Sequence, residues 1–203
     1  MQWREPPDRE NRSFSKIVNF GRYRDAGSGY MALSDRVGPC VLIVHGDGSA
    51  PWLRPTADRL NKLGFTLLAP HVPRATGDVR GPAAADILIA AADFLIDNWH
   101  PELGVIVYRS PDERVRPLLT GGKLAAVVAY DGLPDVEPDC PLQLHLPAVP
   151  YPGDIANLRP DTEAHLYSGT DKGFAEPNST SFHAASAELA EERLVDFFSY
   201  YLS

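Results

Sequence analysis

Short runs that are apolar at every position alternate along this chain with longer stretches that are apolar only at every third or fourth residue. Residues 41–44 (Val-Leu-Ile-Val) form one continuous run that stops at His45-Gly46-Asp47-Gly48, which reads as a buried strand feeding a tight turn. Over 51–63, Leu53, Ala57, Leu60 and Leu63 recur at helical spacing, and Gly64 stands where a helix C-terminus accepts left-handed backbone. Residues 65–69 read as the next strand, stopped by Pro70. A second helix is expected over 83–99, with Ile87, Ala91, Phe94 and Leu95 on one face, followed by a strand at 103–108. Ser110-Pro111-Asp112-Glu113 has capping-box order, with Ser as N-cap and Pro at the first helical position, so a short helix is expected from there to about Leu119. Strands follow at 124–130, 142–146 and 164–167. The last helix, over about 182–202, sets Leu194, Phe197, Phe198 and Tyr201 at core spacing. The polar stretch 1–15 shows neither period and is expected to be a loosely held arm.

Strands that are apolar on both faces and separated by amphipathic helices imply a mainly parallel sheet covered on both sides, a doubly wound α/β domain. The length of 203 residues and the absence of repeats fit one such domain over 1–203. A chain of this size buries roughly 70% of its unfolded surface and can build its core without a metal or disulfides. Its two cysteines, Cys40 and Cys140, agree.

A formal charge of −8, with the acids scattered, argues against nucleic acid, whose phosphates are held by clustered Lys and Arg. No apolar run approaches the ~20 residues that span a bilayer, and the first residues carry no apolar signal core. No membrane association and a cytoplasmic location are the expectation. Only Lys16, Lys62, Lys123 and Lys172 are lysines, and Ala, Pro, Arg and Asp are plentiful, a bias that points to a high-GC bacterial genome.

In doubly wound sheets ligands bind outside the carboxyl ends of the strands. The residues found there are His45, Gly46 and Asp47, then His71, Arg109 and Ser110, Asp131, 147–151 with Tyr151, and Asp171 with Lys172. Several of these ionise, so the rim is a candidate site.

Gly29-Tyr30-Met31-Ala32, Val44-His45-Gly46, Ala57-Asp58-Arg59-Leu60 leading to Gly64-Phe65, Leu68-Ala69-Pro70, Ala129-Tyr130-Asp131-Gly132-Leu133-Pro134 and Gly173-Phe174-Ala175-Glu176-Pro177 occur in an order that resembles the dienelactone hydrolase family of α/β-hydrolases. The resemblance covers about 27–203. It implies a Cys or Ser nucleophile on a Gly-x-Cys-x-Gly elbow, an Asp after the penultimate strand and a His in a His-Gly-Phe turn. In this chain the elbow register holds Val107-Tyr108-Arg109-Ser110-Pro111, so Arg109 takes the nucleophile position. Val107 and Pro111 stand where the tight backbone calls for glycine, which leaves the elbow's shape open. The acid position falls at 147–149 (Pro-Ala-Val), the histidine is replaced by Lys172, and Gly46 stands where the family carries an acid on the oxyanion side. Arginine stays protonated and cannot serve as nucleophile or base.

The remaining residues allow more than one role. Arg109, at the start of a helix, could clamp a substrate carboxylate, or could pair with Asp131, Asp112 or Glu113 and seal the site. Lys172 could be a Schiff-base lysine, a general base or an anion ligand, or could be solvated beside Asp171. His45 and Asp47 are candidates to move a proton, against a structural role on the turn. Ser110 is a displaced nucleophile or a helix cap, and His71 is a weaker candidate. Trp52, Tyr108, Tyr151 and Phe174 line the pocket or fill the core. His100, His145, His165 and His183 have no metal-ligand spacing, so neither metal nor cofactor is expected.

The function expected is non-covalent acid–base and electrostatic catalysis on a small, anionic carbonyl metabolite, of cyclase, isomerase, dehydratase or lyase type, as in a biosynthetic step. His45, Asp47, Arg109 and Lys172 would be catalytic, with Gly46, His71, Tyr108, Ser110, Asp131, Tyr151 and Phe174 around the substrate. Two alternatives stand beside it: a ligand- or partner-binding pseudoenzyme, and a hydrolase with a rearranged triad built on Ser110.

Overall fold

The computed structural model describes residues 14–22, 26–35, 38–45, 50–72, 84–109, 114–132, 136–148 and 158–202. Six apolar runs become strands close to their expected places: β3 (Cys40–His45), β4 (Thr66–Pro70), β5 (Leu103–Tyr108), β6 (Ala126–Tyr130), β7 (Leu142–Pro147) and β8 (Thr162–Tyr167). The helices are α1 (Leu53–Asn61), α2 (Ala84–Asn98), α3 (Arg116–Leu119) and α4 (Ala184–Tyr201). Helix α3 begins later than the capping box implied, with Val115 as an N-cap that makes no side-chain bond. Ser110 to Glu113 lie outside the described residues.

Two strands come from a region that carried no strand pattern. β1 (Phe14–Phe20) and β2 (Gly27–Leu33) pair antiparallel, so Phe14 and Ser15 belong to the sheet and not to an arm. β1 is an edge strand in which only Val18 and Phe20 are buried, and β2 carries two glycines. Neither offers the apolar run by which a buried strand is read.

The sheet order is β1-β2-β4-β3-β5-β6-β7-β8, with β2 antiparallel to β4 and all pairs from β4 to β8 parallel. The doubly wound, mainly parallel architecture is as expected. One face packs against α2 and α3 through residues such as Leu42, Val105, Ile87 and Leu118. The other packs against α1 and α4 through Val41, Ile106, Leu60 and Phe198. Leu194, Phe197 and Phe198 anchor α4, each worth roughly 1.5–3 kcal/mol of burial. The close fit explains Gly104, where a Cβ would lie 2.8 Å from Leu202 and 3.0 Å from Phe198.

Chain direction across the sheet reverses at β3, which lies between β4 and β5. In open α/β sheets such a switch point opens a crevice at the carboxyl ends of the strands. Here those ends are His45 and Tyr108, which are register partners. The same register continues through Tyr130, His145 and His165, with Tyr130 opposite His145 and His145 opposite His165. Ring centroids along this row are 4.6 Å apart for Tyr108 and Tyr130, 4.7 Å for Tyr130 and His145, and 5.5 Å for His145 and His165. Trp52 bridges its other end, edge-on to both His45 and Tyr108. Trp52, Tyr108 and Tyr130 belong to the core on the face covered by α1 and α4.

Candidate active site

Arg109 follows β5 with φ of 60°, a left-handed conformation uncommon for a residue with a side chain. A strand that turns sharply to present one side chain at the rim imposes this kind of strain. Arg109, the residue that the sequence sets at the expected elbow, thus stands in left-handed backbone at the end of β5.

The guanidinium is forked onto a carboxylate. Arg109 Nε donates to Glu176 Oε1 at 2.8 Å, and Nη2 donates to Oε2 at 3.2 Å. His45 Nε2 lies 3.6 Å from Glu176 Oε2, so the same carboxylate faces both. Glu176 is 5% exposed, whereas the Arg109 side chain is 46% exposed. Burial works against the Glu176 charge, but the contacts from His45 and Arg109 outweigh it and hold the carboxyl below the usual range. Of the ion-pair partners considered for Arg109 from the sequence, none was Glu176.

A tight turn delivers Glu176 to this place. Gly173, at φ of 85°, accepts the Glu176 N–H on its carbonyl at 3.0 Å, and Phe174, fully buried, pins the turn to the core. Glu176 stands in the Gly-Phe-Ala-Glu-Pro turn, beyond the strand-end residues Asp171 and Lys172. A carboxylate four residues beyond Lys172 on a turn that returns to the rim was the available signal.

Asp131 follows β6 with φ of 67°. Its Oδ2 accepts the Gly173 N–H at 3.0 Å, tying the two strand-end turns together, and the residue is 4% exposed. Oδ1 is buried with no hydrogen-bond partner among the described residues. Burial pushes this carboxyl up to about 6, with the Glu176 charge adding to the rise, while the Gly173 N–H, Arg109 and Lys172 oppose it.

The site residues expected from the sequence fall into groups. His45 and Arg109 meet on Glu176, and Asp131 joins them through charge and the Gly173 turn. Lys172 is exposed beside this cluster and near enough to act on the Asp131 carboxyl. Ala148 follows β7, its N–H bonded to the Tyr167 carbonyl. Tyr108 and Phe174 are buried beneath the rim as core aromatics. His71 is exposed on a different feature, a cleft of about 690 Å³ lined by Ile17, Tyr30, Ala50, Leu53 and Arg54 among others. Gly46, Asp47, Ser110 and Tyr151 lie outside the described residues. Among the described residues no cluster of His, Cys, Asp and Glu could hold a metal ion, and no helix is long and apolar enough to cross a membrane.

No protein-family model matches the chain, and no curated protein matches it in sequence. Solved structures match it closely in shape. A dienelactone hydrolase from Anabaena variabilis shares 19% identity at a TM-score of 0.73, over 94% of this chain and 99% of that one. A dienelactone hydrolase-like promiscuous phosphotriesterase from metagenomic libraries shares 17% at 0.74, over 94% and 99%. An esterase from Pyrococcus furiosus shares 16% at 0.68, over 94% and 92%. At these identities the likeness is one of fold, and the chain has the α/β-hydrolase fold in the form seen in dienelactone hydrolase-like proteins.

Proposed function

We propose that this protein is an enzyme that kept the crevice of a dienelactone hydrolase-like fold without its covalent chemistry, and that it acts on a small, anionic carbonyl compound by acid–base and electrostatic catalysis. The observation that carries this reading is Arg109, held at the elbow in left-handed backbone and forked onto Glu176. The neighbours in fold are described as hydrolases of lactones, esters or phosphotriesters, whereas a guanidinium has no lone pair to offer a carbonyl carbon. Its use in a crevice is to hold negative charge, on a carboxylate of the ligand or on an enolate oxygen. In this reading His45 takes the proton, supported by the Glu176 carboxylate 3.6 Å from its Nε2. Lys172 adds positive charge at the rim. Reactions of cyclase, isomerase, dehydratase or lyase type share this need.

A second reading, a non-catalytic ligand-binding protein, is favoured by one observation: the Arg109 charge is already matched inside the protein by Glu176. A single set of measurements separates the readings. The protein is offered nitrophenyl acetate, a fluorophosphonate probe for nucleophilic serine, and a panel of 2- and 3-oxo acids in D2O with proton exchange followed by NMR. The proposal expects exchange of the protons next to a carbonyl, no covalent labelling and no ester turnover above that of an unrelated protein. Anion-induced thermal stabilisation without exchange supports the binding protein instead. Rapid ester turnover that vanishes in Ser110→Ala overturns both.

A further inference from the structure

We propose that Asp131 is the group that exchanges a proton with the ligand of this site, its Oδ1 meeting the carbonyl or enol oxygen of an oxo acid whose anionic end lies toward Arg109 and Lys172. The inference rests on the acid–base reading and deepens it by naming the residue and the ligand atom.

Position comes first. Asp131 directly follows β6, the strand next to β5, which Arg109 follows, so both stand at the carboxyl end of the sheet. Left-handed backbone and the Gly173 N–H on Oδ2 fix the carboxyl in place. Those constraints leave Oδ1 buried without a partner among the described residues. Buried carboxylate oxygens nearly always find donors, because an unmatched one costs the full loss of its hydration. A chain that keeps such a cost in left-handed backbone at the carboxyl edge of the sheet, the edge where ligands bind in such folds, is presenting the atom to something else.

Charge then sets what that atom can do. The groups acting on Asp131 are Glu176, Arg109, Lys172 and the Gly173 N–H. Arg109 and His45 keep Glu176 ionised, so of the two carboxyls Asp131 is the one that takes up a proton. A carboxyl that is neutral below about 6 and charged above it can give and take protons near neutrality. In the step proposed, the proton on carbon passes to His45 and the C–H pair becomes the C=C bond. The carbonyl π pair moves to oxygen, which takes the Asp131 proton. The product is the enol, and return of both protons restores the carbonyl on the same carbon, with a solvent-derived hydrogen beside it.

Asp131→Asn is the test, since Asn tolerates left-handed backbone; Asp131→Gly suits the same φ and carries the test if the Asn variant does not fold. Two readouts are taken. In the oxo-acid exchange measurement, wild type is expected to show a pH profile with a break near 6, and the variant to lose about 100-fold in rate together with that break. In urea unfolding, the variant is expected to be more stable than wild type at pH 8, with the gap closing as the pH falls through 6. A structural carboxylate would do the opposite. Exchange that persists in the variant with an unchanged profile, or a variant that is less stable at pH 8, overturns the assignment of Asp131 and leaves the acid–base reading standing. No exchange in wild type removes that reading and the assignment with it.

Discussion

The aromatic row that crosses the sheet from His45 to His165 carries a polar cluster near each end, and the two are built on opposite principles. Under α4, His145 is fully buried, yet both ring nitrogens are matched: Nδ1 lies 2.7 Å from the Tyr167 hydroxyl and Nε2 2.9 Å from Gln143 Oε1. Gln143 Oε1 only accepts, so Nε2 carries the proton and Nδ1 accepts from Tyr167. Gln143 Nε2 in turn donates to Glu163 and to the Arg193 carbonyl, and Arg193 donates to the Tyr167 hydroxyl. At the rim, by contrast, two carboxyls, a histidine and an arginine crowd together and Asp131 Oδ1 is left unmatched among the described residues. A satisfied network specifies a fold, whereas a cluster kept with unmet demand is suited to meeting a ligand.

If that contrast holds, damage to the satisfied cluster is costly and damage to the rim is not. His145→Leu leaves the Tyr167 hydroxyl and the Gln143 carbonyl without their buried partner, and is expected to cost roughly 2–5 kcal/mol in urea unfolding, with the crevice's anion response intact. Tyr167→Phe takes the hydroxyl from His145 Nδ1 and from Arg193 but leaves His145 Nε2 paired, and is expected to cost about 1–3 kcal/mol. A change of under 1 kcal/mol in both would mean that the network adds nothing to stability.

The two ends also respond to acid with opposite signs. Burial holds His145 well below the usual histidine range, with the charges of His165 and Arg193 adding to this, so the unfolded chain takes up a proton there that the folded chain refuses. Stability from His145 is therefore full above about pH 6.5 and is lost as the pH falls, at up to about 1.4 kcal/mol per pH unit. His145→Gln is expected to remove that loss. Asp131 works the other way, because its raised carboxyl disfavours the folded state above 6 and the penalty fades toward its unfolded value near 3.8. Its removal by Asn should add about 1–3 kcal/mol at pH 8.

The smallest expected effect on stability belongs to Glu176→Gln. Arg109 is 46% exposed and water screens its charge, so the change is expected to cost about 1 kcal/mol or less. Oxo-acid exchange should nevertheless fall steeply, since the carboxylate that faces both His45 and Arg109 is gone. An intact exchange rate in this variant would detach Glu176 from the chemistry.

Much of this was legible from the chain alone, and the limits have a physical cause. Apolar runs at 41–44, 65–69 and 103–108 and the 3.6-residue period of α1, α2 and α4 are local properties, so strands, helices and the residues that end them could be placed from sequence. Arg109 and Asp131 were named on that basis. The β1–β2 hairpin was not, because an edge strand buries too few side chains to leave a run. Which charges meet is a different matter: Glu176 is 67 residues from Arg109, and only the sheet order and the Gly173 turn bring them within 2.8 Å. His45, Tyr108, Tyr130, His145 and His165 likewise become one row through strand register, which is decided by how the whole sheet packs. Periodicity reports what each segment buries, while pairing and charge depend on neighbours that the fold alone assembles.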